Sequence, residues 1–170
     1  MKEIYLAGGC FWGMEKVFHM LDGVAETTVG YANGTKDHPT YEEVCTDTTG
    51  HRETVKVVYD PEHVSLQKIL KAFFICIDPT MQNRQGNDIG SQYQTGIYTT
   101  DAESLAAVQQ AAEEEKKKHS RFCTEIMPLK NFWPAEEYHQ NYLEKNPNGY
   151  CHIASEEYEL VRKLNLEDEL

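Results

Sequence analysis

Apolar positions along this chain change period several times, and each change predicts an element. Residues 4–6 form a short apolar run that ends at Gly8-Gly9, a strand leading into a sharp turn. Met14, Val17, Phe18 and Leu21 then recur at helical spacing, and Asp22-Gly23 closes that helix. Residues 24–31 read as a second strand, followed by a turn-rich stretch from Asn33-Gly34 to Pro39. Over residues 53–59 the chain alternates, with Glu53, Val55, Val57 and Tyr59 on one face, until Asp60-Pro61 breaks it. Ser65 is placed to cap a helix whose Leu66, Ile69, Leu70, Phe73, Phe74 and Ile77 make a wide apolar face. Ile97-Tyr98 marks a further strand, a long surface helix starts at Asp101, and residues 124–129 give another strand. A helix is expected from Pro134 to about Lys145, stopped by Pro147-Asn148-Gly149.

This order predicts an α+β fold, a mixed β-sheet with helices packed on it. Its core is a ferredoxin-like split βαβ unit in a two-layer sandwich, and its C-terminal tail is partly irregular. With no internal repeat, low-complexity segment or linker, residues 1–170 read as a single catalytic domain, with the tail beginning at about residue 146. Residues 78–93 form a long polar stretch with two glycines and a proline, the kind of loop that often carries function.

Composition narrows the class. A net charge of −12 argues against a broad phosphate-binding surface, so no nucleic-acid partner is expected. The dense basic run, Lys116 to Lys118, follows Glu113 to Glu115 and can pair with it at i,i+4 spacing as a solvated helix face. No apolar run is long enough to cross a bilayer, and the amino terminus reaches Gly8-Gly9 too soon to hold a signal peptide. A cytoplasmic monomer without membrane contact is therefore expected, in a compartment that keeps thiols reduced. The five cysteines (10, 45, 76, 123 and 151) contain no Cys-x-x-Cys, and the seven histidines lack metal-ligand spacing, so no metal is proposed. Cys45, Cys76 and Cys123 read as packing residues.

Cys10 carries the chemistry. In Gly8-Gly9-Cys10-Phe11-Trp12-Gly13 the glycines permit a tight strand-to-helix turn, which sets Cys10 at a helix amino terminus. Free N–H groups and the macrodipole there favour a thiolate. Phe11 and Trp12 supply an aromatic wall. Two rival readings stand beside this one. A phosphate loop would need spaced glycines and a Lys-Ser/Thr ending, which are missing here. A buried structural cysteine is the usual fate of a lone Cys.

Gly9-Cys10-Phe11-Trp12-Gly13 resembles the signature of the A-type peptide methionine sulfoxide reductases, which reduce the S epimer of methionine sulfoxide. Further blocks match in order: Gly30-Tyr31-Ala32-Asn33-Gly34, Tyr41 to Cys45, Gly50 to Val55, Asp78-Pro79-Thr80, Asn83 to Tyr93, Phe132-Trp133, Ala135 to Gln140, and Tyr142-Leu143. Ile77 stands where the family commonly has His, and Cys76 is not expected from the family.

The resemblance implies that Cys10 attacks the sulfoxide sulfur, Glu53 supplies the proton, and Tyr41 and Tyr93 donate hydrogen bonds to the oxygen. It also implies a pocket lined by Phe11 and Trp12 and ordered by Asp88. An ordinary Glu, with a pKa of about 4.3, needs burial to act as an acid at pH 7. Oxygen transfer leaves Cys10 as a sulfenic acid, which condenses with a second thiol. Cys151, after the turn-forming run Pro147 to Tyr150, is the candidate resolving cysteine on a mobile tail. The expected substrates are oxidised proteins and free methionine sulfoxide. No cofactor is bound, and thioredoxin (dithiothreitol in vitro) is the reductant. Rival functions are another cysteine enzyme, such as a thiol peroxidase or acyl-transferring hydrolase, and a non-catalytic module that binds Met-containing peptides.

Overall fold

A computed structural model describes residues 1–167. The strands are β1 (Lys2–Ala7), β2 (Val24–Ala32), β3 (Arg52–Tyr59), β4 (Arg84–Gln85), β5 (Asp88–Ile89), β6 (Gly96–Thr99), β7 (Glu125–Pro128) and β8 (Phe132–Pro134). The helices are α1 (Phe11–His19), α2 (Tyr41–Cys45), α3 (Leu66–Cys76), α4 (Ala102–Lys116), α5 (Tyr142–Lys145) and α6 (Ser155–Leu164). Six strands form one sheet in the order β7-β6-β1-β3-β2-β8, while β4 and β5 make a separate hairpin inside the long polar loop. Its centre, β6-β1-β3-β2, is antiparallel throughout, and with α1 and α3 it makes the β-α-β-β-α-β unit the sequence predicts. β7 adds parallel to β6, so the sheet is mixed.

Alternation explains the two faces. Ile4 and Leu6 of β1 and Val55 and Val57 of β3 face the main core, where they meet Phe11, Met14 and Phe18 of α1 and Ile69, Leu70 and Phe73 of α3. Each such fully buried side chain is worth about 1.5–3 kcal/mol. Tyr5 and Ala7 point the other way, into a smaller cluster with Ala32 and Tyr98. Glu53 shares the core-facing side with Val55 and Val57, and this parity is what buries it.

Helix caps follow the sequence. Ser65 accepts from the Lys68 N–H at 3.1 Å and Asp101 from the Ser104 N–H at 2.7 Å. Along α4, Glu113, Glu114 and Glu115 pair with Lys116, Lys117 and Lys118 at i,i+3 rather than i,i+4.

Of the helix expected over residues 134–145 only the last turn forms, as α5. Pro134 ends β8, which pairs with β2. A single 3₁₀ turn follows at Glu137–His139, and Asn141 is left-handed at φ 54°. The polar side chains of this stretch have tertiary partners that hold the chain away from a helix. Gln140 clasps β2 by accepting from the Val29 N–H and donating to the Val29 carbonyl, each at 2.9 Å. The Asn141 N–H donates to buried Glu15 at 2.6 Å. The tail is irregular over residues 146–154 and then forms α6, a helix not among the expected elements although Tyr158, Val161 and Leu164 recur at helical spacing. Strand β8 and the short α2, which starts in a Thr40–Glu43 capping box, are likewise additions.

Candidate active site

Cys10 is the N-cap residue of α1, at the end of the turn out of β1. Gly9 makes that turn at φ 87°, and a Cβ there would meet Gln85 at 2.8 Å, so this position requires glycine. Only 7% of Cys10 is exposed. The helix terminus does less for the thiol than the sequence predicts. Burial first, and then the nearby Glu53 charge, push its pKa well above the ordinary thiol value; the Trp12 N–H pulls it down and is outweighed. The resting sulfur is a thiol.

Glu53 sits beside it on β3, opposite Tyr31 of β2, and is 1% exposed. Its Oε1 accepts from the Phe11 N–H at 3.2 Å, and among the described residues Oε2 finds no partner. Burial pushes the carboxyl up to about 8, with the Asp88 charge adding to the effect and the Phe11 N–H opposing it. Glu53 is therefore mainly a neutral acid at pH 7. Cys10 and Glu53 each disfavour ionisation of the other, so they titrate as a pair.

Tyr41, at the start of α2, and Tyr93, at the end of the 3₁₀ turn Ser91–Tyr93, are half-buried around this pair. Burial and then the Glu53 charge raise both phenols well above the usual value, so both remain O–H donors. Asp88 on β5 is half-buried; its Oδ2 accepts from the Tyr150 hydroxyl at 3.1 Å, and its charge reaches Cys10, Glu53 and Tyr93. Phe11 and Trp12 differ in placement. Phe11 is wholly buried, with ring centroids 5.8 Å from Tyr31 and 5.2 Å from His139. Trp12 keeps exposed surface, stacks on Tyr142 at 3.8 Å and donates from Nε1 to His139 Nδ1 at 3.0 Å.

Cys151 lies in irregular backbone. Its Sγ packs over Gly13 of α1, where a Cβ would come within 2.7 Å of it. Cys45 departs from the packing role expected of it. It is exposed at the end of α2, whose one buried residue is Val44, and its thiol neighbours Tyr41. Cys76 is buried as expected, and Cys123 is half-buried.

Sequence reasoning assigned no role to the layer behind the site. Glu136 accepts from the Tyr31 hydroxyl at 2.8 Å and from the Tyr41 N–H at 2.9 Å, and so ties α2 to the sheet. His139 is 1% exposed and its ring packs on Phe11, Trp12 and Tyr41. Both lie in the matched block Ala135 to Gln140, which was the available signal. Among the described residues no three His, Cys, Asp or Glu side chains are grouped to hold a metal, and no helix is long and apolar enough to cross a membrane.

The chain is similar to known proteins in both sequence and fold. The family model described as peptide methionine sulfoxide reductase matches residues 2–168. The peptide methionine sulfoxide reductase MsrA of Clostridium acetobutylicum is 54% identical over 157 residues, covering 92% of this chain and 97% of its own. Among solved structures, Mxr1 from Saccharomyces cerevisiae in reduced form superposes with a TM-score of 0.86 at 40% identity, covering 90% of this chain and 91% of its own. Mxr1 in complex with Trx2 matches with a TM-score of 0.60 at 27% identity, covering 83% and 84%.

Proposed function

The chain belongs to the peptide methionine sulfoxide reductase family, and on that premise we propose how its own residues carry out the reduction. It is an oxidoreductase that returns methionine sulfoxide to methionine. A thiol peroxidase, the other reading of Cys10, is not favoured by these relatives.

Our reading is that Cys10 attacks the sulfur of the S epimer as a thiolate while Glu53, still protonated, gives its proton to the sulfoxide oxygen. The observation that carries it is the buried Glu53 carboxyl bonded to the Phe11 N–H, next to Cys10. Tyr41 and Tyr93 donate to the oxygen as charge develops on it. Trp12 offers the exposed apolar face for the thioether, Phe11 backs it, and Asp88 orders the polar side. Oxygen passes to the Cys10 sulfur, the substrate sulfur gains two electrons, and the thioether leaves. Cys10 is then a sulfenic acid, and condensation with Cys151 forms a disulfide and releases water. A thioredoxin-type dithiol restores both thiols, a step supported by the yeast relative solved with Trx2. We place the enzyme in the reducing cytoplasm, a reading supported by its odd, scattered set of five cysteines.

The test is incubation with each sulfoxide epimer and dithiothreitol, followed by mass spectrometry of the product. Methionine is expected from the S epimer, and none from the R epimer. Absence of methionine from the S epimer contradicts the reading.

A further inference from the structure

We propose that Tyr158 is a positioning residue for the resolving step, its hydroxyl holding the Cys151 sulfur over Gly13 within reach of Cys10. This rests on the reading of Cys151 as the resolving cysteine.

The two residues are held in different ways. Tyr158 sits on α6, where it, Val161 and Leu164 are buried in the main core. Glu157 starts the helix by accepting from the Ala154 N–H at 2.9 Å, and Lys16 of α1 places its ammonium 4.8 Å over the Tyr158 ring. Cys151 belongs to neither helix nor strand. What fixes its sulfur is a set of polar contacts. Tyr158 Oη lies 2.9 Å from Sγ, and the Ile153 N–H donates to Sγ at 3.4 Å. The thiol proton has its own acceptor in the Ile153 carbonyl at 3.7 Å, which leaves the tyrosine O–H free to point at the sulfur.

This clamp aims Sγ at one spot. Gly13 is the only residue type there that leaves room, since a Cβ would come within 2.7 Å of Sγ and 3.2 Å of Ile153. Gly13 follows Cys10 by three residues, about 4.5 Å along the helix axis and on the same face. A disulfide requires Cα atoms within roughly 7 Å, and the Cys151 sulfur over Gly13 is near enough for its charge to act on Cys10. When the Cys151 sulfur attacks Cys10–S–OH, the new S–S bond forms as the S–O bond breaks. The hydroxide leaves as water with the Cys151 proton, Cys10 is reduced and Cys151 is oxidised. Tyr158 is unchanged; it determines how often the attacker is in place. Cys76, a buried thiol at the end of α3, is pushed up to about 12 by burial.

The experiment is a single turnover without reductant in the full-length protein, reading methionine released and Cys10–Cys151 disulfide formed by mass spectrometry after rapid quench. Tyr158→Phe keeps the ring in the core and removes the oxygen. Methionine release at the wild-type rate is expected, with disulfide formation slowed roughly tenfold and Cys10 sulfenic acid accumulating, trapped by dimedone. Tyr158→Leu should show the same split. Disulfide formation at the wild-type rate in Tyr158→Phe overturns the proposal, and so does equal slowing of both steps, which marks a purely structural role. Cys151→Ser separates the premise. If that variant still closes a disulfide on Cys10 at the wild-type rate, the resolving assignment fails, whatever Tyr158 does.

Discussion

The two sulfur atoms of the cycle are held by opposite means. Cys10 is fixed by regular structure: a strand end, a glycine turn, a helix N-cap and a sheet that buries Glu53 beside it. Cys151 is fixed by side chains and a few loop contacts, over a glycine on the helix that starts at Cys10. The first surrounding is dry and rigid, which suits a reaction that depends on keeping a carboxyl protonated near pH 7. The second is close but lightly tethered, which suits a sulfur that must move, form a bond and then face an external dithiol.

The sharpest way to break the comparison is to remove each sulfur in turn. Cys10→Ser abolishes methionine formation altogether, whereas Cys151→Ser keeps one methionine per enzyme and blocks thioredoxin-driven cycling. Burst counting with and without thioredoxin distinguishes the two. Next in size is Glu53→Gln, which lowers the first-turnover rate by roughly 10²–10⁴ with little change in substrate affinity, readable by rapid quench over a range of substrate concentrations. Gly13→Ala comes third. Its methyl group displaces the Cys151 sulfur, so thioredoxin-linked turnover falls several-fold while the first methionine is released normally. Gly13 lies in the first turn of α1, where Gly→Ala otherwise favours the helix by up to about 1 kcal/mol, so an unchanged or raised melting temperature would separate this effect from misfolding.

The same carboxyl has a second readout, in stability. Glu53 has its pKa raised from an unfolded value of about 4.3 to about 8 in the fold. Its contribution is therefore fully present below the lower value and lost as pH rises through the upper one. Each unit of difference corresponds to about 1.4 kcal/mol. Urea midpoints should fall between pH 5 and pH 9 for wild type, and part of that fall should be absent in Glu53→Gln. The variant that loses activity is then the more stable protein at alkaline pH.

The same contrast explains what could be read from the sequence. The Cys10 side was legible because periodicity encodes it. Alternation along β3 places Glu53 with Val55 and Val57, and the Met14, Val17 and Phe18 stripe places α1. The layer behind the pocket and the setting of Cys151 were much less so. Residues Ala135 to Gln140 have a helical composition, yet Glu136, His139 and Gln140 each bind a partner about 100 positions or more away, and tertiary contacts overrule propensity. Tyr158, Val161 and Leu164 recur at helical spacing, which marks Tyr158 as a core residue, while the contact of its hydroxyl with a sulfur seven residues earlier has no such signal. The helix terminus favours a thiolate less than its place in the sequence suggests, because the burial of Cys10 and then the charge of Glu53 outweigh the N–H group of Trp12.

The most direct test of the buried acid is the pH dependence of first-turnover methionine release, without reductant, in wild type and Glu53→Gln. Thiolate with carboxylic acid is one form of the singly ionised pair. The wild-type rate should therefore rise as the first proton leaves the pair, near the Glu53 value of about 8, and fall as the second leaves. In Glu53→Gln only a rising limb should remain, at a much lower rate. A falling limb that persists in the variant would mean that the proton comes from another group.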